Sequence, residues 1–238
     1  YWSINTIMKL AIMQPYFFPY IGYWQLLNAV DTFVIYDNIK YTKKGWINRN
    51  NYLLNGKLKT FSIPLKKDSD YLNIDDRYLF EGFDKNKLLN QIKGAYGKAP
   101  YFNSVFSLIK SIINYKERNL FSYIKNSIEA VYDYLNLNTN IINSSSIQIN
   151  HDRKGQDKVI SICEILNATT YINPIGGVDL YDKKTFRNYG INLEFIKPKI
   201  IKYKQFDFEF VDSLSIIDVL MFNNKFEINR MLNLGTIL

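Results

Sequence analysis

The chain has 238 residues, 47% of them hydrophobic and 16% aromatic. That is enough for one large core, too little for two independent enzymes, and free of the long polar tracts that mark disorder. The formal charge of +8 favours anionic partners through the summed field, yet Lys/Arg blocks of five or more, the mark of a nucleic-acid arm, are missing.

One cysteine, Cys163, and one histidine, His151, exclude a disulfide framework, a cysteine-built zinc site and the multi-histidine metal sites. No metal is therefore expected. No apolar run approaches the ~20 residues of a membrane span, and the start lacks a basic segment followed by an apolar one, so the expected location is the cytoplasm. Residues 1–7 precede Met8, from which Met8-Lys9-Leu10-Ala11-Ile12 begins cleanly, and they read as an extra N-terminal segment before one domain at 8–238.

In chain order, Lys9 to Met13 is a short apolar run stopped at Gln14-Pro15, as a buried strand would be. After a loop, Ile21, Trp24, Leu27 and Val30 recur at helical spacing, and Phe33-Val34-Ile35-Tyr36 is a second strand between Asp31 and Asp37. Strand, helix, strand is the βαβ pattern of parallel neighbours. Residues 37–51 are polar and basic and read as a loop; Thr60 to Leu65 reads as a third or edge strand. Leu88, Leu89 and Ile92, then Phe102, Phe106, Ile109 and Ile113, then Leu120, Ile124, Ile128, Val131 and Leu135 mark three helices broken at Gly97 and Pro100. Asn138 to Ser146 reads as a linker, followed by a strand near Ile147 to Asn150 and a helix at Gln156 to Leu166 with Cys163 on its apolar face. Strands follow at Thr170-Tyr171-Ile172 and Leu193 to Ile196. The expected fold is α/β, a Rossmann-like and mostly parallel sheet interrupted by an inserted helical lobe at about 84–137.

Chemistry concentrates in three loops. Gln14-Pro15-Tyr16-Phe17-Phe18-Pro19-Tyr20-Ile21-Gly22-Tyr23 lies between the first strand and its helix, where open α/β sheets bind ligands; Gln14, Tyr16, Tyr20, Gly22 and Tyr23 are candidate binding residues, against the plainer possibility of an aromatic turn that only packs. The segment 37–50 follows the second strand. There Asp37 can accept a proton, Lys44 supplies a point charge, Trp46 stacks on a base or sugar, Asn48 offers an amide, and Arg49 forks onto a phosphate or carboxylate; a solvated basic loop is the alternative. Asn173-Pro174-Ile175-Gly176-Gly177 ends a later strand, and Asn173, Gly176, Gly177 and Tyr181 are candidates for orienting a ligand. It is neither the phosphate loop nor the dinucleotide fingerprint, and no motif names a cofactor. His151 is a candidate acid–base group, Cys163 a buried hydrophobe, and Ser215-Ile216-Ile217-Asp218 a helix-capping pattern.

These motifs, with Phe33 to Asp37, Lys44 to Asn50, Tyr171 to Gly177 and Leu214 to Leu220, resemble those of the WbqC-like family of bacterial surface-polysaccharide clusters over nearly the whole chain from Met8. The resemblance implies a transferase that adds an aminoacyl group, glycine being the usual suggestion, to the amine of a nucleotide-linked amino sugar. Its partners would be that sugar and an acyl or aminoacyl donor, with nucleic acid involved only if a charged tRNA is the donor. The side-chain chemistry, and not the resemblance, makes Asp37, Lys44 and His151 the expected catalytic groups. A looser similarity to nucleotidyltransferases places Tyr20-Ile21-Gly22-Tyr23 where a His-x-Gly-His motif would lie, with tyrosines for both histidines. The rival readings are a nucleotidyltransferase-like activator of a carboxylic acid and a non-catalytic nucleotide- or glycan-binding protein.

Overall fold

A computed structural model describes residues 7–238, so the expectation of an extra N-terminal segment at 1–7 falls, except for Ile7, outside the described residues. In chain order the elements are β1 (Lys9–Met13), α1 (Ile21–Asn28), β2 (Thr32–Ile35), β3 (Arg49–Leu54), β4 (Lys57–Ser62), α2 (Lys85–Tyr96), α3 (Phe102–Ile113), α4 (Leu120–Leu135), β5 (Asn140–Asn143), α5 (Gly155–Ile165), β6 (Thr170–Pro174), α6 (Lys183–Asn188), β7 (Asn192–Lys197), α7 (Ile216–Phe222), α8 (Lys225–Leu232) and β8 (Thr236–Ile237).

Six strands form one sheet in the order β5-β2-β1-β6-β7-β8. All are parallel except β8, which runs antiparallel to β7. This is a mixed α/β fold with a Rossmann-like, mostly parallel sheet. From β1 the chain moves outward through β2 to β5, then returns to lay β6 against the other side of β1. The order therefore reverses between β1 and β6, which is where doubly wound sheets open a crevice at their carboxyl edge.

Strand alternation gives the sheet two apolar faces. Ala11, Phe33, Ile35, Ile172 and Ile196 face α1, α7, α8 and the three inserted helices in one continuous core. Leu10, Ile12, Val34, Tyr171, Leu193 and Phe195 face α5 and its Cys163 on the other side. Helix α1 is buried along Ile21 to Leu27. Even Gln25 is inside, with its amide donating to Lys199 O and Met231 O and accepting from Lys199 N, so the polar group is satisfied within the core.

Two expected strands are displaced. The strand near Ile147 to Asn150 instead occupies Asn140–Asn143, within the expected linker. As the outermost strand, β5 has one unpaired edge and no fully buried side chain, so asparagines suffice where a central strand would need apolar residues. The expected strand at Thr60 to Leu65 begins earlier, at Lys57, and pairs with β3 in a separate two-stranded sheet. Asn55 and Gly56, at φ 50° and 71°, turn this hairpin, and both positive values fit the turn that matches strand twist. Because β3 starts at Arg49, the loop after β2 is shorter than residues 37–51.

Candidate functional site

The loop from β1 to α1 is held open by its backbone. Phe17 N donates to Ile47 O at 3.0 Å, and the Asn50 amide reaches the carbonyls of Phe17 and Phe18 at 3.3 and 2.7 Å. Ser215 Oγ adds a bond to Phe18 O at 2.9 Å, and Trp24 Nε1 donates to Pro19 O at 3.1 Å. The aromatic residues then divide. Phe17 and Phe18 are buried, with edge-on contacts to Phe61 and, for Phe17, a tilted contact to Tyr123. Tyr16 and Tyr20 stay half-exposed on the other side.

Tyr16, Pro19 and Tyr20 line a cleft of about 530 Å³ together with Met13 at the end of β1, Trp46 from the loop after β2, and Asn50 and Asn51 on β3; Pro198, Ile200 and Ser213 close it from the segment after β7. The volume lies in the range of small-molecule sites, about 300–1,000 Å³. Trp46 is 45% exposed. Its turn is pinned by Arg49, whose Nε donates to Gly45 O at 3.0 Å and whose Nη2 donates to Lys44 O at 2.7 Å. The guanidinium also lies 5.4 Å from the Trp46 ring centre. Arg49 thus spends two of its five donors on the loop, and Lys44 is exposed beside it. Burial raises the phenols of both Tyr16 and Tyr20 above the usual tyrosine range, so they are hydrogen-bond donors at neutral pH. Gln14 lies next to this wall, accepting from Tyr16 OH at 3.4 Å.

A polar cluster sits at the carboxyl edges of the neighbouring strands β2 and β5. Asp37 is buried and accepts from the Ser145 backbone N–H at 2.9 Å and from the Ser145 hydroxyl. Asn38 accepts from Ser144 Oγ at 2.9 Å and donates to His151 Nδ1 at 2.8 Å, while His151 Nε2 lies 2.9 Å from Ile147 O. Both imidazole nitrogens are therefore engaged. Lys158, on the first turns of α5, buries its amine here. It has a 3.5 Å contact to Asn38 Oδ1 and lies 4.9 Å from the centre of the Tyr36 ring. Burial pulls its basicity down, while Asp37, Asp152 and Asp75 partly restore it. The same burial, with Tyr181 nearby, pushes the Tyr36 phenol up to about 12. Tyr36 N donates to Met13 O at 2.8 Å, so the cluster lies one strand away from the aromatic cleft.

The other sequence candidates have packing partners. Tyr23 is buried against Trp24 and Phe33. A Cβ on Gly22 would stand 2.5 Å from the Tyr20 ring, so glycine lets that ring lie over the start of α1. Asn48 accepts from Tyr41 OH and donates to Ile63 O. Asn173 is buried, accepting from Tyr171 OH, and a Cβ on Gly177 would collide with its amide nitrogen. Gly176 faces open space. Tyr181 packs edge-on to Tyr171 and Phe186. The Cys163 thiol is buried and pushed up to about 12, so it stays protonated and unreactive.

The sequence reading missed Lys158, Asn38, Ser144 and Ser145, and the cleft wall at Pro198, Ile200 and Ser213. Lys158 carried one signal: among the charged residues of α5 it falls next to the apolar positions Val159 and Ile162 rather than opposite them. The far wall had none, because only the fold brings the exit of β7 to β1. Among the described residues no helix is long and apolar enough to cross a membrane.

The WbqC-like protein family matches this chain over residues 14–230. A Mycobacterium tuberculosis relative, "Uncharacterized protein Rv1507c", is 26% identical over 215 residues, spanning 89% of this chain and 92% of that protein. No solved structure matches the chain.

Proposed function

The chain belongs to the WbqC-like protein family, and from that premise we propose that it is a transferase of surface-glycan biosynthesis. It places an aminoacyl group, glycyl in the simplest case, on the amine of a nucleotide-linked amino sugar. The position and lining of the cleft carry this reading: it opens at the carboxyl end of β1, beside the strand-order reversal, and offers Trp46, Tyr16 and Tyr20 as flat surfaces. Trp46 stacks on the base or sugar, and Lys44 with the remaining donors of Arg49 meets the diphosphate at the rim.

In the transfer, the amine nitrogen attacks the acyl carbonyl carbon and a C–N bond forms. The donor's leaving group departs with its electron pair, and the amine proton passes to a base. In the cluster one strand from the cleft, Lys158 is freer for that role than Asp37 or His151. Both Asp37 oxygens are held by Ser145 and both His151 nitrogens are engaged, whereas burial favours the neutral, proton-accepting form of Lys158. His151 acts in this reading by fixing Asn38 beside the Lys158 amine, and Asp37 by its nearby charge.

A second reading, a nucleotide- or glycan-binding protein without turnover, draws on the cleft lining, where only phenols and the Ser213 hydroxyl can exchange a proton. The test is mass spectrometry of nucleotide-linked amino sugars incubated with the protein and either glycyl-tRNA or glycine plus a nucleoside triphosphate. A product heavier by one glycyl residue supports the transferase. Binding with no product from any donor supports the second reading, and pyrophosphate release without sugar modification marks a carboxylate activator instead.

A further inference from the structure

A second groove lies at the opposite, amino-terminal edge of the sheet. Its first part, about 400 Å³, is walled by Asn28 at the end of α1, Asp31 before β2, Asn136 and Asn138 between α4 and β5, and Asn229 and Asn233 on and after α8. A second part, about 590 Å³, continues from Asn138 and Thr139 between edge strand β5 and the α4 residues Glu129, Tyr132 and Asp133. No lysine or arginine lines either part. We propose that this groove binds a neutral oligosaccharide, held by side-chain amides and carboxylates against its hydroxyl groups.

The chemistry of the lining selects the ligand. Each side-chain amide presents a donor and an acceptor a short distance apart, as does each hydroxyl of a sugar, so a row of amides matches a row of hydroxyls. Asp31 and Asp133 add acceptors and repel phosphates and nucleotides, while Glu129 is paired with Lys125 at 3.5 Å behind the groove. The walls are set before any ligand arrives. Asn28 donates to Asn233 Oδ1 at 3.1 Å and Asn233 donates to Asn229 O at 2.8 Å. Tyr132 OH holds Thr139 O at 2.9 Å, and Thr139 Oγ1 is bonded to Leu27 O at 2.9 Å.

One group on this wall lacks a partner. Asn229 Oδ1 is buried behind the wall and accepts no hydrogen bond among the described residues, a costly state that a turn of the side chain into the groove relieves when a ligand hydroxyl is there to meet it. The two parts together exceed by far the roughly 30 Å³ share of one water, which suits more than one sugar ring. Because the groove and the aromatic cleft lie at opposite edges of the sheet, both can be filled at once, and the groove stands or falls independently of acyl transfer.

The test is a titration of the isotope-labelled protein with chitotriose and maltotriose, followed through backbone and side-chain amide resonances, with inorganic phosphate as the anionic control. Saturable shifts are expected at Asn136, Asn138, Asn140, Asn229 and Asn233, with none from phosphate. Asn229→Leu should weaken the apparent affinity at least tenfold. Asn138→Ala, at an exposed position that leaves the core untouched, should weaken it severalfold. The proposal is overturned if neither saccharide shifts these resonances, if the shifts map to Tyr16 and Tyr20 instead, or if Asn138→Ala binds as the unaltered protein does.

Discussion

Asn50 holds Phe18 by its backbone. The amide nitrogen lies 2.7 Å from the Phe18 carbonyl, and Phe18 sits at φ 47°, a left-handed conformation that a bulky residue rarely adopts. The bond keeps Phe17 and Phe18 turned inward and leaves Tyr16 and Tyr20 facing the cleft. Asn50→Ala strands the Phe17 carbonyl, leaves the Phe18 carbonyl to Ser215 Oγ alone, and frees Phe18 to relax. Urea denaturation should show a loss of about 1–3 kcal/mol, and ligand affinity should fall with it. Unchanged stability would mean that Asn50 does not constrain the loop.

Asp218 supplies a pH-dependent prediction. Its buried carboxylate accepts from Tyr203 OH, Gln205 Nε2 and Tyr96 OH at 2.7, 2.7 and 2.9 Å. Burial raises its pKa, and these three donors only partly offset the rise. Asp218 therefore does not complete a capping box at α7, where Ser215 alone caps through Ile217 N. A carboxyl raised in the folded state binds its proton more tightly there than in the unfolded chain. Its contribution to stability is full below the unfolded pKa of about 3.9 and is lost as pH rises through the folded value. The advantage of the unaltered protein over Asp218→Asn should thus shrink as pH rises from about 4, when the two are compared by denaturation across a pH series. An advantage that grows with pH would show that the ionised form is the one the three donors favour.

Lys158 carries the opposite sign. Its basicity is lowered by burial, so its unfavourable contribution is full below the folded pKa and relieved as pH climbs toward the unfolded value of about 10.4. Lys158→Met should leave thermal stability at pH 7 unchanged or higher while abolishing transfer, since it removes a buried amine that has no ion-pair partner among the described residues. A loss of more than about 2 kcal/mol, within the range for breaking a needed buried polar contact, would make the amine a structural group.

How much of this was legible follows from where each residue's partners lie. Strand β1, helix α1 and strand β2 are central and buried, so burial dictates apolar residues at spacings that a sequence displays. Edge strand β5 needs no such pattern, and Asn140 and Asn143 disguise it as a linker. The Asn55-Gly56 turn was present in the chain but lay within a stretch whose β4 residues are mostly exposed, which removed the alternation that announces a hairpin. For the cleft, the walls at Tyr16, Tyr20 and Trp46 come from two loops that a βαβ unit sets side by side. Ser213 and Ile200 arrive from more than 150 residues away along the numbering, through contacts that no local pattern encodes. Lys158 reads as an ordinary helix charge until the fold buries it beside Tyr36.

Whether the Trp46 cleft holds a nucleotide-linked amino sugar is decided by calorimetric titration of that ligand into the unaltered protein and into Trp46→Ala. Trp46 is exposed and its loop is pinned by Arg49, so the substitution should leave the fold intact. Loss of one stacked ring is worth about 1–3 kcal/mol, and the affinity should fall by about five- to 150-fold. Equal affinity in a folded Trp46→Ala protein would move the ligand out of this cleft.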